Sequence, residues 1–185
     1  MRMFDLVPKK IFLTKGVGFS RERLASFEQA LQDAGISPLN LVEVSSILPP
    51  GCKVISKKEG IKLFRPGEIV FCVLSKNQSN ENRRMIAASV GLAIPSNKND
   101  YGYLSEHHSF GETNQEAGDY AEDLAASMLA KSLGVEFDLD AAWDEKKEIY
   151  RISGKIIQTR NITQTAVCRK NGWTTVLSAA IFCLA

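Results

Sequence analysis

Long hydrophobic runs, a strong net charge and paired metal-binding motifs are all missing from this 185-residue chain. No apolar stretch approaches the roughly 18–20 residues needed to cross a bilayer, so no membrane partner is expected. The opening residues Met1-Arg2-Met3-Phe4-Asp5-Leu6 break into charge before Pro8-Lys9-Lys10 and make no secretory signal, so a cytoplasmic location is expected. Lys and Arg number 23 against 21 Asp and Glu, a formal net charge of +2, too weak a field to gather nucleic acid. Arg151, Lys155 and Arg160 form no dense basic run either. Cysteines are few: Cys52, Cys72, Cys168 and Cys183 contain no CxxC pair, and no histidine spacing completes a zinc site. Three of them fall in apolar, strand-like runs and read as buried free thiols of a reducing compartment. The two histidines, His107 and His108, are adjacent, so on a strand they face opposite ways and cannot readily share one ion. Gly16-Val17-Gly18 has Arg21 where a dinucleotide fingerprint needs its third glycine.

What is present is an ordinary globular balance, 44% hydrophobic and 24% charged, enough to build a core within one domain, residues 1–185. Lys10 to Thr14 reads as a short strand and Gly16-Val17-Gly18 as a turn. Ser20 is placed to cap a helix that runs to Ala34 and stops at Gly35, with Leu24, Phe27, Leu31 and Ala34 on one face. Leu41 to Ile47 reads as a strand ended by Pro49-Pro50-Gly51. Val54 to Ser56 is short and extended, and Lys58-Glu59-Gly60 and Arg65-Pro66-Gly67 are turns. Ile69 to Leu74 is a buried strand, Lys76 to Arg84 an exposed loop, Met85 to Ile94 a strand ended by Pro95, and Tyr101 to Ser109 another. Glu112 to Leu133 is the longest helix, capped by Thr113 or Asn114 and closed by Gly134. The tail alternates strands (149–152, 155–159, 163–168, 174–184) with a hairpin signal at Lys170-Asn171-Gly172. Two long helices and about eight strands predict an α+β fold with two sheets packed together and helices covering the outside.

The chemistry concentrates at Ser45-Ser46, where an apolar run meets Ile47-Leu48-Pro49-Pro50. A serine held in a tight extended bend ahead of two prolines can turn its hydroxyl against the preceding carbonyl. Attack of the Ser46 hydroxyl on the Ser45 carbonyl converts the amide to an ester. β-Elimination then leaves dehydroalanine, which hydrolyses to a pyruvoyl group and ammonia. The step needs a donor to hold the developing oxyanion.

Around this corner the sequence resembles the pyruvoyl-dependent arginine decarboxylase family. The resemblance rests on Phe27-Glu28-Gln29-Ala30-Leu31 with Ala34-Gly35-Ile36, on Asn40-Leu41-Val42, and on Val44-Ser45-Ser46-Ile47-Leu48-Pro49-Pro50. Ser89-Val90, Ala93-Ile94-Pro95 and Gly102 followed by Glu106 extend it. It implies cleavage between Ser45 and Ser46 into a β chain (1–45) and an α chain (46–185) that begins with a pyruvoyl group made from Ser46. It also implies a four-layer α/β/β/α sandwich and a homotrimer with sites between subunits.

A pyruvoyl ketone forms a Schiff base with an amino-acid amine and accepts the electrons released as carbon dioxide leaves. No pyridoxal phosphate and no metal is then required. The expected product of L-arginine is agmatine. On pattern alone Glu106, in an aromatic strand, reads as a solvent-facing strand residue; the resemblance implies that it is the proton donor, a role that apolar surroundings would assist by raising its pKa. The resemblance gives Asn40 to self-processing and Glu28 and Ile47 to substrate. A carboxylate such as Glu28 matches the arginine fork, although the family often carries the shorter Asp there. A pyruvoyl decarboxylase of another amino acid, or an unprocessed ligand-binding relative, are the competing readings.

Overall fold

The computed structural model describes residues 6–135, 149 and 154–184. Strands β1 (Lys10–Ser20), β2 (Asn40–Glu43), β4 (Lys53–Val54), β5 (Ile69–Ser79) and β9 (Trp173–Cys183) make a five-stranded sheet in the order β2-β5-β9-β1-β4. Strands β3 (Ile47–Leu48), β6 (Met85–Pro95), β7 (Gly102–Phe110) and β8 (Ile156–Val167) make a four-stranded sheet in the order β3-β7-β6-β8. Helices α1 (Arg23–Ala34) and α2 (Lys57–Ile61) cover the first sheet, and α3 (Asn114–Ser132) covers the second. The α+β sandwich expected from the element pattern is therefore the observed architecture.

The layering follows from strand alternation. On β5 and β9, Cys72, Ala179 and Ile181 point to the α1 side with Phe12, Ala30 and Ile36. Their neighbours Val73, Ala180 and Phe182 point into the space between the sheets, against Val90, Leu92 and Leu104. A strand covered on both faces reads as one continuous apolar run, which is why 85–94 and 174–184 show no alternation.

Both long helices bury mainly small residues. The buried residues of α1 are Ser26, Ala30 and Ala34, while Leu24 is 78% exposed. The expected apolar face is thus rotated away from Leu24. The cause lies in β1: a methyl group on Gly16 would overlap the Ala30 carbonyl oxygen, and one on Gly18 the Ser26 carbonyl oxygen. Helix and strand touch backbone to backbone, so Gly16-Val17-Gly18 is not a turn, and β1 runs on to Ser20. Ser20 ends that strand, and the N-cap position falls to Glu22 without a side-chain cap. On the other side α3 buries Ala117, Ala121, Ala125 and Leu129 against β6, where Gly91 meets the Ala121 carbonyl. Its capping box joins Thr113 and Glu116.

Other expectations are corrected by hydrogen bonding that a linear pattern does not reveal. Residues 76–79 continue β5, because inward polar groups find partners in the facing sheet. Ser75 Oγ donates to the His107 carbonyl at 2.6 Å and Asn77 Nδ2 to the Ser109 carbonyl at 2.8 Å. Lys58-Glu59-Gly60 lies in α2, whose Ser56–Glu59 capping box makes a helix of a segment that reads as a turn. The 155–159 and 163–168 strands are one, β8. Asn171, at φ 65°, does not close a hairpin: β8 pairs with β6 and β9 with β1 and β5, so the chain changes sheets there. The 149–152 strand lies outside the described residues apart from Ile149, which is helical.

Candidate active site

The sequence-level strand 41–47 is broken in two, and the break is the site. β2 pairs in parallel with β5, Asn40 opposite Ile69 and Glu43 opposite Cys72. After Val44, whose N–H reaches the Cys72 carbonyl at 3.0 Å, the chain leaves this sheet. It joins the other at β3, antiparallel to β7, with Ile47 opposite Tyr103 and Leu48 opposite Gly102. Ser45 and Ser46 span the crossover, Ser45 exposed and Ser46 half-buried. Backbone bonds clamp both ends of the pair. The Leu104 N–H donates to the Ser46 carbonyl at 2.8 Å, and the Ile47 N–H donates to the Ser45 carbonyl at 3.0 Å.

β7 carries Glu106, and the Ser46 hydroxyl donates to its Oε1 over a long 3.4 Å. Glu106 is open to solvent on one side, yet its carboxyl is held above the usual range. The main cause is water withdrawn by the surrounding protein. The like charge of Glu43 adds to it, and the Ser46 hydroxyl bond opposes it. An acid tuned upward beside a serine hydroxyl can receive that hydroxyl's proton and return one.

Beside the crossover lies an apolar cavity of about 260 Å³ lined by Leu6, Pro8, Val44, Ile47, Pro49, Phe71 and Phe182. Val44 and Ile47, which flank the serine pair in sequence, both line it, and Ile47 is 40% exposed. Two expected residues are not brought there. Asn40 donates through Nδ2 to the Gly67 carbonyl at 2.8 Å. Glu28 is exposed on α1, on the far face of the five-stranded sheet, and accepts from Gln32 Nε2 at 3.2 Å.

Sequence reasoning passed over the Ile47 amide and Glu43. A backbone N–H has no sequence signal. Glu43 matters only because the crossover returns the chain beside β7. His107 is structural: its Nε2 lies 2.8 Å from Glu112 Oε2, and its ring lies 4.3 Å from that of Tyr120. Among the described residues no group of three or more His, Cys, Asp or Glu is arranged to hold a metal ion. No helix there is long and apolar enough to cross a membrane.

A serine corner with an acid on its hydroxyl and a donor on the preceding carbonyl suits chains that make a pyruvoyl group from their own backbone. Comparison with known proteins gives the same class and narrows it. Residues 10–184 match the pyruvoyl-dependent arginine decarboxylase family, and this chain belongs to that family. It is 60% identical over 176 residues to a probable pyruvoyl-dependent arginine decarboxylase of Chloroherpeton thalassium, covering 95% of this chain and 97% of that protein. It is 55% identical over 180 residues to the pyruvoyl-dependent arginine decarboxylase of Methanococcoides burtonii (97% and 100% covered). The enzyme of the same description from Nitrosopumilus maritimus is 57% identical over 180 residues (97% and 98% covered).

Proposed function

We propose that this chain is a self-processing carboxy-lyase that converts L-arginine to agmatine and carbon dioxide. The observation that carries it is the Ser45-Ser46 crossover with the Ser46 hydroxyl on Glu106, in a chain that matches the family over residues 10–184. The chain divides after Ser45 into residues 1–45 and 46–185. The pyruvoyl group derived from Ser46 supplies an electron-accepting carbonyl next to the substrate's α-carbon.

Glu106 then holds the proton that the α-carbon takes up, and the burial that disfavours its ionised form suits it to that role. Ile47 and the apolar cavity beside it receive the aliphatic part of the substrate. Glu28 binds the guanidinium and Asn40 assists processing, and both are supplied by a neighbouring subunit of a homotrimer. Support for that division is their placement: neither reaches Ser46 within one chain. Val42 and Ile69, exposed at the β2–β5 edge, are apolar surface suited to association. The protein works in the cytoplasm, where its free thiols stay reduced.

The test is an intact mass and a denaturing gel of the purified protein. Two fragments split after Ser45, with a carbonyl reactive to phenylhydrazine on the larger, are expected, and Ser46→Ala should remain whole. Purified chains that stay unbroken, or that release carbon dioxide only from amino acids without a cationic tail, would overturn the reading.

A further inference from the structure

The geometry points to the backbone N–H of Ile47 as the in-chain donor that stabilises the oxyanion formed on the Ser45 carbonyl during self-cleavage. This rests on the self-processing reading above and adds to it a group whose side chain takes no part.

The bond from the Ile47 N–H to the Ser45 carbonyl, 3.0 Å, runs from a residue to the carbonyl two before it. It closes a γ-turn centred on Ser46. Ser46 is not among the residues of positive φ, so the turn is the inverse, relaxed form. The amide is free to do this because of strand register. The Leu104 N–H goes to the Ser46 carbonyl, and Ile47 faces Tyr103, so Ile47 and Tyr103 form a non-hydrogen-bonded pair of the antiparallel ladder. The Ile47 N–H therefore points away from β7, toward the carbonyl that must react. No other donor is recorded on that oxygen among the described residues, and the Asn40 amide is committed to Gly67.

Attack closes a five-membered ring from Oγ, Cβ, Cα and N of Ser46 and the carbonyl carbon of Ser45. The new bond is Oγ–C, and the carbonyl electron pair moves onto oxygen. Collapse breaks the C–N bond and leaves an ester. The hydroxyl proton ends on the Ser46 nitrogen, with the Glu106 carboxylate, 3.4 Å from Oγ, placed to carry it. Throughout, the Ile47 N–H already points at the oxygen that gains charge. A hydrogen bond to an anionic oxygen is stronger than one to a neutral carbonyl, so the turn favours the transition state over the resting amide. The same turn holds the Ser45 carbonyl in place before the reaction begins.

The Gly51-Cys52 junction allows a decisive chemical test. A synthetic 1–51 thioester can be joined to a 52–185 fragment at Cys52, rebuilding the full chain. One ligation carries the α-hydroxy analogue of isoleucine at position 47, which replaces its N–H by oxygen and keeps the side chain. A second variant, Ile47→Pro, removes the same N–H but leaves the Ser46 amide carbonyl intact, and proline's φ suits an edge strand. Each is refolded, matched to the all-amide chain by circular dichroism, and followed for the fragment that ends at Ser45. Mass spectrometry separates this product from hydrolysis of the synthetic ester. Both variants should cleave on the order of 100-fold more slowly than the all-amide chain. Hydroxylamine, which cuts any ester formed at Ser45, should not rescue them. Cleavage of both at the control rate, or hydroxylamine cutting both after Ser45 as fast as the control, overturns this inference alone. An all-amide chain that folds and never cleaves overturns the self-processing reading with it.

Discussion

The Ser46 hydroxyl meets the Glu106 carboxylate of β7 across 60 residues of sequence, at the crossover where the chain leaves one sheet for the other. On the self-processing reading proposed above, one carboxyl would face both the reacting serine and the group made from it. Removing its acidity has separable consequences. In Glu106→Gln, chains that have already processed should decarboxylate about 100- to 10,000-fold more slowly. Single-turnover carbon dioxide release, normalised to the phenylhydrazine-reactive fraction, checks it.

The pH dependence has a definite sign. Burial and the Glu43 charge both disfavour ionised Glu106, so its pKa is raised. As proton donor it works while protonated, and turnover falls as pH rises through that pKa. Glu43→Gln removes one of the two raising causes. The alkaline limb of kcat should therefore move to lower pH, with the acid side unchanged. A limb that stays put or moves upward means that Glu43 does not act on Glu106.

Glu28 lies on the far side of a sheet from Ser46 in its own chain. Co-expressed Ser46→Ala and Glu28→Ala chains should therefore recover activity that neither shows alone. In the proposed homotrimer, mixed assemblies would pair an intact Ser46 with a neighbour's intact Glu28. Recovery should track the fraction of mixed assemblies separated by differently tagged chains. No recovery in mixed trimers places Glu28 outside the site.

Close packing of strand on helix predicts stability effects at two glycines. In Gly91→Ala the new methyl meets the Ala121 carbonyl and the Ser105 hydroxyl, next to Glu106. Helix α3 must lift, at about 1–3 kcal/mol, and kcat should fall with it. Gly16→Ala should destabilise by a similar amount through the Ala30 carbonyl. Urea midpoints measure both.

Glu122 is a buried carboxylate held by neighbours from β8. Thr159 Oγ1 donates to Oε1, and Asn161 Nδ2 donates to Oε2 at 2.8 Å. Glu122→Ala leaves both donors without that acceptor and should cost about 1–3 kcal/mol in urea unfolding. Processing at Ser45, on the opposite edge of that sheet, should continue.

Some of this was readable from the linear chain, and some required packing. The long helix was legible, expected over 112–133 and found at Asn114–Ser132 with Thr113, one of the two caps expected, as its N-cap, because capping and helical spacing are local. The strands at 85–95 and 173–183 were legible from apolar runs that only doubly covered strands sustain. Gly16 and Gly18 misled, since the same two residues serve a turn or a close helix contact, and only the position of Ala30 and Ser26 decides which. Leu24 misled because spacing shows that a face exists, not which side of it a glycine strand will draw in. Asn77 reads as loop because its partner, the Ser109 carbonyl, comes from a different sheet.

By itself the chain's order of residues determined that a serine pair would stand before two prolines, that an acid would follow on an aromatic strand, and that apolar strands would require two covered sheets. These are properties of neighbours along a backbone, set by sterics and side-chain period. Tertiary structure decided that the serines sit between sheets rather than within one, that Glu106 and Glu43 come together there, and that the Ile47 amide turns toward the scissile carbonyl. Those depend on strand register, which is fixed only when both sheets close on a common core.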